Sequence, residues 1–178
     1  MRKLKNEELE RLTPEEFKRS QKLPLVVILD NVRSLHNVGS VFRTCDAFRL
    51  QALYLCGITG KPPDREIQKT ALGATETVEW RHFENTNDAM KELRAQGFHI
   101  YAVEQALGSI ALNEFQLEEK KNIALVFGNE VKGVDQEIVN SCNGVIEIPQ
   151  AGSKHSLNIA VSAGIVCWEI FCLMSRKR

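Results

Sequence analysis

Short continuous apolar runs alternate with amphipathic segments along most of the chain. Residues 25–29, LVVIL, form the clearest run, and such a run is typical of a strand that is buried on both faces of a sheet. Similar patterns predict six strands, at residues 25–29, 52–57, 77–83, 99–104, 122–128 and 144–150. Because these strands alternate with segments of helical periodicity, the chain is predicted to form one α/β domain, with a mostly parallel six-stranded sheet flanked by helices.

The predicted helices lie before and between these strands. Thr13, Pro14 and Glu16 have the capping-box pattern, which predicts a short first helix that ends near residue 21. Further helices are predicted from about Val38, over residues 85–98 and 134–142, and from about Ser156 to Met174. Residues 57–66 are rich in proline and glycine, which predicts a loop. We therefore divide the chain into a helical extension, residues 1–24, and one domain, residues 25–178.

The composition narrows the classes of partner. The chain has 178 residues with 23 basic and 23 acidic side chains, so a nucleic acid would have to bind to a local patch. Both ends are basic, MRKLK at the start and SRKR at the finish, and solvated termini explain this as readily as an RNA contact does. Five cysteines without a CxxC pair and four scattered histidines predict no metal site.

The hydrophobic segments do not predict a membrane protein. The N-terminus is charged and has no apolar signal-peptide core. The longest apolar run, residues 159–174, covers 16 positions and contains Ser162 and Glu169, so it suits a buried helix better than a membrane span. We expect a cytoplasmic protein with no membrane partner.

Polar side chains gather in three loops that follow strands, which is where parallel sheets bind ligands. In the first loop, Asn37 could cap the following helix or take part in chemistry. Arg43 could hold a phosphate with two parallel hydrogen bonds, or it could pair with Asp46 on the helix surface. No GxGxxG or GxxxxGK[ST] pattern follows a strand, which disfavours a nucleotide-dependent oxidoreductase or an NTPase.

The second and third loops add a carboxylate and the start of a helix. Gly128 would let a ligand approach the backbone closely, and Glu130 is either functional or a solvated loop charge. Ser156 and Asn158 stand where the last helix is predicted to begin. The free backbone N–H groups of a helix start suit a carboxylate or a phosphate.

Taken together and in this order, the three loops resemble the three motifs of the SpoU (TrmH) branch of the SPOUT RNA methyltransferases. The matching residues are Asn37, Gly39 and Arg43 in N-x-G-x-x-x-R; Phe127, Gly128, Glu130 and Gly133 in F-G-x-E-x-x-G; and Ile148, Pro149, Gly152, Ser156, Leu157 and Asn158 in I-P-x-x-G-x-x-x-S-L-N. The resemblance covers residues 25 to about 172. Two positions depart from the usual pattern, with Ala160 where serine is frequent and Leu35 where proline is common.

The resemblance implies an enzyme that transfers a methyl group from S-adenosylmethionine to a ribose 2′-hydroxyl of tRNA or rRNA. It also implies a deep C-terminal trefoil knot and a homodimer in which Arg43 lies at or beside the interface, with room left by Gly39. The cofactor-binding residues that it implies are Val103, Gly128, Ile148, Gly152 and Leu157. The catalytic residues that it implies are Arg43, Asn37, Glu130, Ser156 and Asn158.

Several alternatives stay open from the sequence. Arg43 is the family's proposed base, but a guanidinium normally stays protonated, so a substrate phosphate could accept the proton while Arg43 positions it. The chain could also be a catalytically silent RNA-binding homologue or a base-methylating SPOUT enzyme. Its compactness slightly favours tRNA over rRNA. The final helix is apolar nearly all round, which predicts that one face packs in the core and another against a partner subunit.

Overall fold

Seven strands form one parallel sheet in the computed structural model, which describes residues 1–117 and 121–176. The strands are β1 (Leu23–Asp30), β2 (Leu50–Cys56), β3 (Trp80–Phe83), β4 (Phe98–Val103), β5 (Ile110–Ala111), β6 (Asn122–Phe127) and β7 (Gly144–Glu147). Their order across the sheet is β3-β2-β1-β6-β4-β7-β5, and every pairing is parallel. The predicted α/β class and parallel sheet are confirmed.

The predicted count of six strands was wrong because β5 also belongs to the sheet. This strand pairs Ile110 with Ile146 and Ala111 with Glu147 at the edge of the sheet. A strand of two residues is too short to show an alternating pattern, so periodicity does not indicate it.

Helices cover both faces of the sheet. They are α1 (Pro14–Arg19), α2 (Leu35–Ala47), α3 (Arg65–Ala71), α4 (Ala74–Thr77), α5 (Thr86–Ala95), α6 (Gln136–Ser141) and α7 (Ile159–Arg176). Helix α3 begins inside the predicted loop 57–66, where the Asp64 carboxylate accepts hydrogen bonds from the N–H groups of Glu66 and Ile67 at 2.8 and 3.2 Å. Helix α4 ends at the first residue of the predicted strand 77–83, which shortens that strand to β3.

Strand β1 separates two apolar clusters, one on each face of the sheet. Leu25, Val27 and Leu29 face the cluster that contains residues of α2, α3 and α7, whereas Val26 and Ile28 face the cluster with residues of α5 and α6. Both faces are covered, so the run is apolar at every position rather than at alternate ones. Within the part of the chain that the structure describes, no helix, α7 included, is long and apolar enough to cross a membrane.

The N-terminal segment is attached through a short capped helix. The Thr13 hydroxyl accepts a hydrogen bond from the N–H of Glu16 at 3.3 Å, and the Glu16 carboxylate accepts one from the N–H of Thr13 at 2.8 Å, so the predicted capping box is confirmed. Phe17 is buried, which anchors α1 to the domain. Of the basic C-terminal stretch SRKR, Lys177 and Arg178 lie outside the described residues.

Helix α2 begins earlier than predicted, and Gly39 has a packing role there. Ser34 caps the helix, because its hydroxyl accepts a hydrogen bond from the N–H of Asn37 at 3.3 Å; the interpretation of Asn37 as the cap was therefore wrong. A Cβ atom at Gly39 would lie 2.1 Å from the Thr70 hydroxyl oxygen and 2.3 Å from the Ile67 carbonyl oxygen. Gly39 therefore allows α3 to pack directly on α2, which is a different role from leaving room for Arg43.

We expect Gly39→Ala to lower the free energy of unfolding by about 1–3 kcal/mol, because the new methyl group would push α3 away from α2. Urea denaturation at equilibrium measures the change. Gly152→Ala is the matched control, since a Cβ atom there would meet no atom within 4 Å. Equal stability of the two variants would contradict the packing role.

Candidate active site

A cavity of about 720 Å³ opens at the carboxyl ends of β4 and β6 and beside the chain that follows β7. Its wall includes seven of the ten predicted site residues, namely Val103, Gly128, Glu130, Ile148, Ser156, Leu157 and Asn158. Gly152, Asn37 and Arg43 do not line it. The structure therefore brings the second and third motif loops to one cavity, and the first motif reaches it indirectly.

Glu130 connects the loop after β6 to the start of α2. Its carboxylate accepts hydrogen bonds from the N–H of Arg33 at 3.0 Å, the N–H of Ser34 at 2.9 Å and the side-chain amide of Asn37 at 3.1 Å. Partial burial by itself raises the pKa of the Glu130 carboxyl, but these hydrogen bonds outweigh burial and hold the pKa below its ordinary value. Glu130 is thus ionised near neutral pH and accepts from the N–H of Ser34, which the start of α2 leaves free, and from the N–H of Arg33 in the preceding loop.

Asn37 and Asn158 extend this connection to the start of α7. The Asn158 side-chain oxygen accepts hydrogen bonds from the N–H groups of Ala160 and Val161 at 2.9 and 3.4 Å, so Asn158 caps α7. Its amide nitrogen donates to the Asn37 side-chain oxygen at 3.1 Å. The orientation of both amides follows from their neighbours, because backbone N–H groups need an oxygen and the Glu130 carboxylate needs a donor. We call this chain of contacts, Glu130–Asn37–Asn158, the amide bridge.

The loop after β6 folds back tightly on itself. A Cβ atom at Gly128 would lie 2.1 Å from the carbonyl carbon of Gly133 and from the nitrogen of Val134, so only glycine fits there. Asn129 fixes the turn: its side-chain oxygen accepts from the N–H groups of Val131 and Lys132 at 2.9 and 3.1 Å. The requirement for Gly128 therefore comes from the chain's own backbone.

Glu104 and Gln105 are two site residues that sequence reasoning missed. The Glu104 carboxylate accepts a hydrogen bond from the N–H of Val134 at 3.1 Å, and the Gln105 amide donates to the carbonyl of His155 at 2.6 Å. The two residues thus fasten both other cavity loops to the end of β4. Glu104 is the last residue of the predicted strand 99–104 and Gln105 follows it, and this position at the carboxyl end of a strand was the one signal that could have identified them.

Arg43 lies on a different face of α2 from the amide bridge. It is exposed and lines a second groove, of about 490 Å³, together with Ser40, Thr44, Ala47, Phe48, Lys69, Thr70 and Gly164. No hydrogen bond or ion pair engages its guanidinium within residues 1–117 and 121–176. Arg43 does not form the ion pair with Asp46 that the sequence left open. The Asp46 carboxylate instead accepts a hydrogen bond from the hydroxyl of Thr77.

Gly152 is the third predicted site residue that lies outside the cavity wall. It lines neither the cavity nor the groove, and a Cβ atom there would be in open space. Its place in cofactor binding stays a prediction. Among the residues that the structure describes, no group of three or more His, Cys, Asp or Glu side chains could hold a metal ion.

Comparison with known proteins identifies relatives over most of the chain. The sequence profile of the SpoU rRNA Methylase family matches residues 24–168. A tRNA (guanosine(18)-2′-O)-methyltransferase of Thermus thermophilus is 32% identical over 155 residues, which cover 87% of this chain and 78% of the relative.

Two solved structures share the fold. The TrmH/SpoU tRNA modifying enzyme of A. aeolicus superposes with a TM-score of 0.80 at 32% identity, over 92% of this chain and 81% of that one. An AdoMet-bound rRNA methyltransferase from Sinorhizobium meliloti superposes with a TM-score of 0.77 at 32% identity, over 84% of this chain. This chain spans 56% of the length of the Sinorhizobium protein.

We expect Glu130→Gln to lower the free energy of unfolding by about 1 kcal/mol at neutral pH, because an amide offers one acceptor oxygen where the carboxylate offers two. The folded-state pKa of Glu130 is lowered, so its contribution is complete above the unfolded-state pKa and is lost as the pH falls through the folded-state pKa. Thermal unfolding of both proteins over a pH series measures this. A difference between them that stays constant into acid would contradict the ionised amide bridge.

Proposed function

The chain belongs to the SpoU rRNA methylase family, and on that premise we propose that it transfers a methyl group from S-adenosylmethionine to a ribose 2′-hydroxyl of tRNA or rRNA. The observation that carries the proposal is the amide bridge, because it joins one residue from each of the three motifs beside a single cavity. The relatives named above include enzymes for both classes of RNA, so the proposal covers both.

The cavity suits the cofactor in size and in lining. Its volume of about 720 Å³ falls within the range of roughly 300–1,000 Å³ for small-molecule sites. Val103, Ile148 and Leu157 supply apolar surface, and the backbone of the loops around Gly128 supplies polar groups outside helices and strands. When bound, S-adenosylmethionine supplies an electrophilic methyl group on a positively charged sulfur.

The protein's own contribution is orientation and proton removal. The ribose hydroxyl must be held in line with the bond that breaks, and its proton must leave as the new bond forms. Ser156 and Asn158 line the cavity, where they contact the substrate or the reacting end. The proposal covers two routes for the proton: Arg43 holds a substrate phosphate that accepts the proton, or Arg43 is itself the base.

A homodimer brings Arg43 to the cavity of a second copy. Within one chain, Arg43 lines the groove and not the cavity. The outer face of α7 beside that groove exposes Val161, Ile165 and Trp168 to 50%, 38% and 53%. The Trp168 ring lies 5.8 Å from that of Phe48, at the end of α2. This apolar face continues into the Arg43 groove, so a second copy that covers it meets Arg43 as well.

Three further parts of the proposal concern the whole chain. The C-terminal segment forms a trefoil knot, which the position of β7 between β4 and β5 and the return of α7 onto α2 support. Residues 25–178 form the methyltransferase domain, with residues 1–24 as its extension, the last two of which already belong to β1. The protein works in the cytoplasm, a reducing compartment in which its five free cysteines stay reduced.

Transfer of labelled methyl groups from S-adenosylmethionine to tRNA and rRNA, from cells that lack this protein, tests the reaction. We expect label in dinucleotides that survive alkaline hydrolysis, because 2′-O-methylation blocks cleavage of the next phosphodiester. Label in mononucleotides would instead indicate base methylation, and RNA binding without transfer would indicate a silent homologue. Arg43→Ala is the matched variant, expected to abolish transfer while it still binds the cofactor.

We expect Trp168→Arg to convert the protein into a monomer, because it places a charge in the centre of the apolar α7 face. Light scattering at micromolar concentration measures the mass. Leu107→Arg is the control, because Leu107 is fully exposed on the loop between β4 and β5 and its replacement should leave the mass unchanged. A wild-type monomer would refute the dimer.

A further inference from the structure

The groove beside Arg43 contains a second cation, and we propose that Lys69 and Arg43 together bind a backbone phosphate of the RNA substrate there. The inference rests on the proposed function, which makes RNA the substrate, and it adds a residue outside the three motifs. The ligand class is a phosphodiester, which carries one negative charge and oxygen acceptors for both side chains.

The packing of α3 on α2 is what places Lys69 in the groove. Gly39 has no side chain, so Thr70 lies against α2, and its hydroxyl donates to the carbonyl of His36 at 2.9 Å. Lys69 is the residue before Thr70, and it lines the same groove of about 490 Å³ as Arg43. The two cations come from separate helices, so their proximity depends on this contact.

The charges around the groove leave a positive surplus. Glu66 is paired with Lys69 at 2.6 Å and with His36 at 2.9 Å, and its pKa is lowered, first by Lys69 and then by His36. One ionised carboxylate therefore faces a lysine and a histidine, while Arg43 has no partner within the described residues. The Lys69 and Glu66 side chains are 52% and 39% exposed, so their pair contributes little to stability. An anion in the groove can therefore replace Glu66 as the partner of Lys69 at little energetic cost.

The hydroxyl groups in the groove already donate their hydrogen bonds to backbone carbonyls, so they do not donate to a phosphate. Those of Ser40 and Thr44 donate to carbonyls one turn earlier in α2, at 2.8 and 3.2 Å, and that of Thr70 donates to His36. Phe48, Ala47 and Gly164 form an apolar wall. Binding of an anion therefore falls to Arg43 and Lys69 alone.

The experiment compares Lys69→Gln with Lys91→Gln in RNA binding. Lys91 is the matched control, because it is also exposed and also pairs with an acidic residue three positions earlier, Asp88 on α5. Fluorescence anisotropy with labelled bulk tRNA, repeated over a series of salt concentrations, suits a phosphate contact, since such contacts do not depend on the RNA sequence.

We expect Lys69→Gln to weaken binding roughly tenfold at 0.1 M salt and to reduce the slope of log K against log salt concentration by about one, because one counterion fewer is released. Lys69→Arg should restore both quantities. Calorimetry should show unchanged affinity for S-adenosylmethionine, which separates an RNA contact from a disturbed cavity.

Failure of the proposed Lys69 site and failure of the proposed function would give different results. Equal affinity and slope for Lys69→Gln and Lys91→Gln, with a wild-type protein that binds RNA, would overturn the Lys69 site alone. A wild-type protein that binds the cofactor but no RNA would overturn the proposed function. Loss of the dimer in Lys69→Gln without a change in slope would show that the cations pair with carboxylates of a second copy, which also overturns the phosphate site.

Discussion

The arrangement of the site depends on how two helix starts satisfy their free backbone N–H groups. Ser34 and Glu130 provide acceptors at α2, and Asn158 provides one at α7. The Asn37 amide joins the two sets, because it donates to Glu130 and accepts from Asn158. Helix capping and the arrangement of the cavity loops are therefore one hydrogen-bonded system, so a change at any of the three side chains of the amide bridge disturbs both helix starts.

Hydrophobic patterns in the sequence predicted the strands whose side chains are buried on both faces of the sheet. The apolar runs of β1 and β6 are continuous because helices cover both faces, and that pattern needs no knowledge of the partners. The strand β5 and the helix α3 were missed for a different reason. Contacts with residues distant in sequence stabilise both elements: β5 pairs with β7, and α3 packs on the backbone of α2 at Gly39. The hydrophobic periodicity of a segment does not indicate such contacts.

The motifs predicted which loops meet, but they did not predict what each residue does. Glycines 39 and 128 are explained by close approach of the chain's own backbone, whereas the sequence suggested room for Arg43 and for a ligand. Capping of α2 was one of two roles left open for Asn37, but Ser34 caps this helix and Asn37 bridges two loops. In each case the residue type correctly marked a constrained position. The residue that imposes the constraint could not be identified from the local sequence.

Helical geometry separates the two functional faces of α2. Asn37 and Arg43 are six residues apart, so at about 100° per residue their side chains point roughly 120° apart around the axis. One face carries the amide bridge beside the cavity, the other lines the groove with Lys69, and Val38, Val41 and Phe42 fill the core between α2 and the sheet. Within one chain, the Arg43 groove and the cavity therefore open beside different faces of α2. In the proposed homodimer, the exposed apolar face of α7 is the surface on which a second copy would bring its Arg43 and Lys69 to the cavity of the first.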